Sequence, residues 1–352
     1  MKTITGIQQM GVGVKNAKEA WAWYRKMYGM DINVFESNDV AEFMLPHTDG
    51  LPREKYAALA VNFEGGGGFE IWQHNGHDPR YPDFDIKMGD LGIYITKLKS
   101  RDVEKAYAFH KAQGIVMGEV TETPAGVKHY FTKDPYNNIF EIIEEAVYYK
   151  KQKSVNGGVY GAIIGCSDVE KSLVVYQDIL GYDEIVYDKT DTFADLNPLP
   201  GGDQQCRRVL LRHSQERQGP FSKMFGPSQI ELIQVLDYQG RRIYENRIWG
   251  EPGFIHLCFD VVGMDDLKKE CAEKGHPMTV DSNPDPNEGV FEMGKAGGRF
   301  TYIEDPDGSL IEFVETKKLP IIEKLGWYMP IKGTKRLPNW MINTIAWGRI
   351  KD

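Results

Sequence analysis

One pattern recurs four times along the 352 residues, and a chain that repeats one unit must set the copies against each other to bury their apolar faces. Each copy reads as a strand of alternating residues, a helix with one apolar face, a glycine that stops it, and further strands of which the last carries a glutamate. Copy one has a strand around Ile7 to Val14, a helix from about Ala17 to Tyr28 closed by Gly29, and a last strand Phe69-Glu70-Ile71-Trp72. Copy two starts at Leu91-Gly92-Ile93-Tyr94-Ile95, has its helix from about Asp102 to Gln113 before Gly114, and ends in Asp134-Pro135-Tyr136-Asn137-Asn138-Ile139-Phe140-Glu141. Copy three starts at Val159-Tyr160-Gly161-Ala162-Ile163, follows Ser167-Asp168 with a helix stopped by Gly181, and ends in Gln229-Ile230-Glu231-Leu232-Ile233. Copy four runs from Gly253 through a helix from about Asp265, stopped by Gly275, to Glu312.

Copy four carries the sharpest local chemistry. Phe254, His256, Cys258 and Asp260 alternate with Ile255, Leu257, Phe259 and Val261, so the aliphatic set is expected to be the packed face and His256 to point away from it. Asp305-Pro306-Asp307-Gly308 has the residues of a type I turn, and the strand after it contains Glu312. An imidazole and a carboxylate in the middle of apolar strands are costly to bury alone, and a shared metal ion would satisfy both. A hydrogen-bonded core histidine and a half-exposed glutamate would account for either residue taken singly. Repetition favours the first reading.

Composition excludes several function classes. Hydrophobic residues at 41% and charged residues at 26% are those of a globular protein, and a net charge of −9 without a long run of one sign argues against a nucleic-acid partner. The opening MKTITGIQQM lacks the apolar run of a signal peptide, and no run is long enough to span a bilayer, so no membrane association is expected. Cys166, Cys206, Cys258 and Cys271 form no CxxC pair, which suits a reducing cytoplasm. The polar, glycine-ended stretch Lys150 to Gly158 is expected to link two domains, residues 1–150 with copies one and two and residues 151–316 with copies three and four. Residues 317–352 form a tail, in which basic residues from Lys317 through Lys335 and Arg336 to Lys351 mix with Pro320, Trp327, Pro330, Pro338, Trp340 and Trp347; its aromatics are expected to cover part of the repeats.

A βαβββ unit with a first-strand ligand and a last-strand glutamate resembles the vicinal oxygen chelate superfamily, which includes glyoxalase I, bleomycin resistance proteins and extradiol dioxygenases. The most specific segments are DPDGSLIEF (305–313) and GIQQMGVGVKNAKEAWAWYRKMYGM (6–30). The resemblance implies an α+β fold in which four βαβββ modules form two cupped, incomplete β-barrels with flanking helices, followed by the C-terminal extension. Carried over by position, the first-strand site is Gln9, Gly92, Gly161 and His256, and the last-strand site is Glu70, Glu141, Glu231 and Glu312. Neighbouring copies could pair, giving cups with Gln9, Glu70 and Glu141 and with Glu231, His256 and Glu312. Alternatively the outer copies pair, collecting Gln9, Glu70, His256 and Glu312 in one cup and leaving two carboxylates facing two glycines in the other. Ligand count favours outer pairing.

Such a set of three oxygens and one nitrogen suits one divalent ion, Zn, Ni, Co, Mn or Fe(II). The function implied is that of a glyoxalase-like lyase or isomerase acting on a small molecule with vicinal oxygens, through proton abstraction and a metal-stabilised enediolate. Glu312 would be the proton-carrying base and Glu70 its counterpart. Two alternatives stand beside it: a ring-cleaving dioxygenase with Glu231, His256 and Glu312 as ligands, and a non-catalytic binding protein of the bleomycin-resistance kind. Gly161, where the second histidine of an oxygen-activating triad should be, counts against the first. The arginines with which glyoxalase I holds glutathione would fall at Gly13 and Pro252, so a glutathione adduct is not expected. His74, Trp72, Cys258 and Tyr302 are candidates to line the cup, His47 and His77 read as solvated, and Cys271 as packed in a helix face. A monomer or homodimer is expected.

Overall fold

The structure, a computed structural model, describes residues 1–283, 291–293, 296–322, 327–331 and 333–350. Unit one comprises β1 (Thr3–Gly13), α1 (Ala17–Tyr28), β2 (Ile32–Val40), β3 (Glu54–Val61) and β4 (Gly68–His74). Unit two comprises β5 (Gly92–Ser100), α2 (Val103–Ala112), β6 (Val116–Glu122), β7 (Lys128–Lys133) and β8 (Ile139–Glu144). Unit three has β9 (Val159–Gly165), α3 (Val169–Leu173) continued by a π-helical turn at Val174–Ile179, β10 (Glu184–Asp191), β11 (Cys206–Arg212), the short α4 (Ser222–Phe225) and β12 (Gln229–Val235). Unit four has β13 (Gly253–Val262), α5 (Met264–Glu273), β14 (Val280–Asp281), β15 (Phe291–Met293), β16 (Ala296–Glu304) and β17 (Leu310–Ile322). A tail adds β18 (Trp327–Pro330) and α6 (Asn339–Asn343).

Helix boundaries follow local chemistry. Side chains of Asn16, Asp102 and Asp168 accept from the backbone N–H groups of Glu19, Lys105 and Lys171, satisfying donors left free in the first turn. At the other end Gly29 is left-handed, φ 67°, and its N–H returns to Arg25 and Tyr24 carbonyls.

The strands form two sheets. One has the order β14-β16-β17-β13-β1-β4-β3-β2, with β15 added on β16 and β18 on β17; the other has β10-β11-β12-β9-β5-β8-β7-β6. Outer units therefore share one cup through antiparallel β1 and β13, and inner units share the other through β5 and β9. Within each unit the first and last strands lie side by side and parallel, which places the last-strand glutamate next to the first strand of its own unit.

Helices from all four units meet in one core behind both cups, with Tyr24, Phe140, Tyr176, Ile164 and Phe254 among its members. Two buried hydrogen bonds stitch neighbouring units across it, Tyr24 OH to Asp134 at 2.6 Å and Tyr176 OH to Asp305 at 2.8 Å. Asp134 and Asp305 are the first residues of the two Asp-Pro turns; the other oxygen of Asp305 accepts from the N–H groups of Asp307 and Ser309. Residues 150–158 are stitched down as well: Asn62 Nδ2 donates to the Asn156 carbonyl at 2.8 Å and Gly158 N–H to Gly65 O at 2.8 Å. A β-carbon at Gly158 would sit 2.3 Å from Gly67 O, so this crossing needs glycine, and the run Gly65 to Gly68 serves it.

The tail departs from expectation. It packs through Ile342 and the partly buried Leu337, Ile345 and Ala346 against Ile32, Val61, Phe63 and Met224, whereas Trp340 and Trp347 are 64% and 80% exposed. The side chains of Pro320 and Trp327, and Lys351, lie outside the described residues. No helix among the described residues is long and apolar enough to cross a membrane.

Candidate metal centre

Along β1 and β13 the pairing register sets Gly11 opposite His256 and Gln9 opposite Cys258. A β-carbon on Gly11 would lie 2.5 Å from the imidazole, so the absence of a side chain there makes the room that the ring occupies. A register shift just beyond His256, where Val12 pairs with Phe254, skips Ile255. The alternation therefore breaks: Phe254 joins the main core, while Ile255 sits with Trp72, Trp249 and Tyr302 on the site side, contrary to the simple two-face reading.

Gln9, Glu70, His256 and Glu312 come together. His256 Nε2 lies 3.3 Å from a Glu70 oxygen and 3.1 Å from a Glu312 oxygen, and the Gln9 amide nitrogen lies 3.0 and 3.3 Å from the same two oxygens. One ligand atom from each of Glu70, His256 and Glu312 falls within 4.8 Å of the others. The histidine side chain is fully buried and the glutamates are 10% and 8% exposed. Neither imidazole nitrogen makes an aligned hydrogen bond, although Nε2 is near two acceptors, so the ring aims between the carboxylates rather than at one of them. Gln9 Oε1 is buried without a partner, and the amide is symmetric enough in shape that a half-turn would present this oxygen to the centre.

Two buried carboxylates within reach of one point call for positive charge, and hard oxygen donors with one imidazole suit a divalent ion. Burial alone would lower the His256 pKa, but Glu312 and Glu70 outweigh it and raise it to about 9. Burial would likewise push the Glu312 carboxyl up, yet His256, Tyr302 and Cys258 hold it below its ordinary value.

Of the proposed lining residues, Trp72 and Tyr302 face a cavity of about 310 Å³ that opens on Gln9, Glu70 and Glu312, with Trp249 beside them. Trp249 was not singled out by sequence; its ring stacks toward His256 with centroids 6.5 Å apart and meets Trp72 edge-on. His74 is instead bonded to the Trp249 carbonyl at 2.8 Å, and Cys258 is wholly buried with its sulfur 3.6 Å from Gln8 Oε1. His47 and His77 are not free in solvent: they contact Thr279 and Glu251, both at 2.8 Å. Cys271 packs in the core as expected. At Gly13 a β-carbon would lie 2.0 Å from Glu251 O, which leaves no space for a substrate-gripping arginine.

The inner cup corrects the positional reading. Its register places Ile95, not Gly92, at the site equivalent to Gln9, because Ile95 lies beside Ile139 two residues before Glu141, as Gln9 lies beside Gly68. Gly161 does occupy the His256 position, and opposite it stands Lys97. Nor is the inner cup open: Lys97 Nζ bridges Glu141, at 2.7 Å, and Glu231. Arg208 bonds Glu231 and Asp195, His129 Nδ1 lies 2.7 Å from a Glu141 oxygen, and Tyr187 OH donates to Glu231 at 2.8 Å. All but Asp195 and Tyr187 are at most 1% exposed. Glu231 thus belongs to a different cup from His256 and Glu312, and the ligand set Glu231, His256 and Glu312 does not exist.

Comparison with known proteins extends this. Residues 160–313 match the model of the Glyoxalase/Bleomycin resistance protein/Dioxygenase superfamily. Comparison with curated proteins gives no match. Among solved structures, a mutant of glyoxalase I from Zea mays is similar at 13% identity and TM-score 0.55, covering 89% of this chain and 94% of its own. A protein from Bacillus subtilis subsp. subtilis str. 168, named provisionally as a dioxygenase, is similar at 14% identity and TM-score 0.58, covering 100% and 98%. At such identities the likeness is one of fold. Residues 160–313 thus match that superfamily's model, and the chain has the vicinal oxygen chelate fold over its length.

Proposed function

We propose that the outer cup is a metal-dependent active site that moves a proton between adjacent carbons of a small substrate with vicinal oxygens, a glyoxalase-like lyase or isomerase activity. The observation that supports it is the convergence of Gln9, Glu70, His256 and Glu312, drawn from both ends of the chain onto one buried point under an open cavity. These four would hold a divalent ion, which as a Lewis acid favours negative charge on a substrate oxygen. Glu312 takes the proton from the substrate carbon and returns it to the neighbouring one, with Glu70 on the opposite side able to do the same for the other face. Tyr302 and Cys258 beside Glu312 help hold its carboxyl below the ordinary value, and His256, walled in by Trp249 and Tyr302, keeps a fixed orientation. Neutral Gln9 adds an oxygen without adding negative charge. The apolar walls of Trp72 and Trp249 exclude water from the transferring proton.

Elemental analysis tests the proposal: the purified protein should carry about one divalent ion per chain, and His256→Ala should lose it. Absence of stoichiometric metal after reconstitution with Zn, Ni, Co, Mn or Fe(II) would leave a binding protein of the bleomycin-resistance kind.

A further inference from the structure

The cavity above the donors constrains the part of the substrate that does not react. Away from Glu70 and Glu312 its walls are mainly apolar, and the apolar residues come from three distant places: Phe43 and Met44 after β2, Phe221 and Phe225 around α4 of the third unit, and Leu319 and Ile345 from β17 and the tail. Lys55 is the one basic side chain among the described lining residues, and it is already engaged. Its ammonium is 2.6 Å from Asp39 and 2.7 Å from Ser37 Oγ, and lies over the Trp72 ring at 4.6 Å. Asp39, Glu42, Glu70 and Glu312 make the rest of the charge on the wall negative. A carboxylate on the substrate's body would lose water without finding a counter-ion, whereas an apolar group gains by burial.

We propose that the substrate is a molecule whose vicinal oxygens carry a bulky, uncharged aryl or alkyl body, seated between the Phe43–Met44 turn and the Phe221, Phe225 and Leu319 wall. The assignment rests on the proposed function for the position of the oxygens alone. A volume of about 310 Å³ accommodates a body of aryl size and leaves little space for a peptide conjugate.

Three unreactive hydroxamates with the same pair of adjacent oxygens provide the test: phenylacetohydroxamate, acetohydroxamate and succinic monohydroxamate, each titrated calorimetrically into metal-loaded and chelator-treated protein. Phenylacetohydroxamate should bind the loaded protein about tenfold or more tighter than acetohydroxamate, the gain expected from burying a ring. Succinic monohydroxamate should bind no tighter than acetohydroxamate. Phe43→Arg, at a position 36% exposed on the rim, should shrink the phenyl advantage and improve the succinic ligand. Equal affinities for all three, or a succinic preference, with binding still dependent on metal, would overturn the apolar-body assignment and spare the chelating site. Phenylacetohydroxamate binding that is indifferent to metal removal would instead uphold the apolar cavity and remove the chelate reading.

Discussion

The two cups are built on one plan and end differently, although each brings two last-strand glutamates toward the seam of two first strands. In the outer cup the large side chain on that seam is His256, and the residue across from it is Gly11; in the inner cup the glycine is Gly161 and the large residue across from it is Lys97. The occupant has changed strands. Consequently Glu70 and Glu312 face an imidazole and an amide beneath a cavity, while Glu141 and Glu231 are bridged by an ammonium and flanked by Arg208 and His129. A converging carboxylate pair requires a cation, and a tethered one makes the site structural while a diffusible one leaves it available for chemistry.

The largest expected effect that tests this contrast is Lys97→Met, which removes the tethered charge and should cost about 3–5 kcal/mol of unfolding free energy, measured by urea denaturation. A loss under about 1 kcal/mol, the range of exposed ion pairs, would mean that the bridge contributes little. The outer cup should respond to ions in solution: at a concentration near 100 times the dissociation constant, a divalent ion should add about 2.7 kcal/mol, and His256→Ala should abolish the thermal shift. Gly11→Ala sets a β-carbon against the His256 ring, and about 1–3 kcal/mol lost together with a weaker ion-induced shift is the expected pair of results.

Acid and base should separate the components of the inner cup. Burial would raise the carboxyls of Glu141 and Glu231, but Lys97, with Arg208 at Glu231, outweighs it and holds both below the ordinary 4.5. Their contribution is therefore present above that value and is lost as pH falls through the depressed ones. His129 goes the other way: burial lowers it, yet Asp195 and Glu141 raise it above 6.5, so its contribution is present below 6.5 and lost as pH climbs through the raised value. Unfolding free energy should thus fall on both sides of an interval between 4.5 and 6.5, and Lys97→Met should flatten the acid limb. The smallest effect belongs to Trp347→Ala, at 80% exposure, within about 0.5 kcal/mol of the parent.

Much of this was legible because the signals are local. Asn16, Asp102 and Asp168 cap helices, Gly29 ends one, and the Asp-Pro turns announce the strands with Glu141 and Glu312. Outer pairing followed from counting donors, since Gln9 and His256 alone of the first-strand set can coordinate. Gly92 was misplaced because the site position is set by the pairing of β5 with β8, which puts Ile95 beside Ile139, and periodicity does not report register. Lys97 and Arg208 escaped notice because a charge in a strand reads as the solvent face. Their signal was available: two glutamates facing a glycine in a dry cup need compensation, and the inner strands offer these cations. The exposed tryptophans of the tail carry no such signal.

Gln9 and Glu312 are 303 residues apart, yet they share a hydrogen bond. During synthesis β1 must therefore wait, its neighbour β13 unmade, until the strands of the fourth unit have left the ribosome. Truncation at the middle of the chain cannot yield a half-active protein, and closing the outer sheet over so long a loop should be a slow, late step of folding.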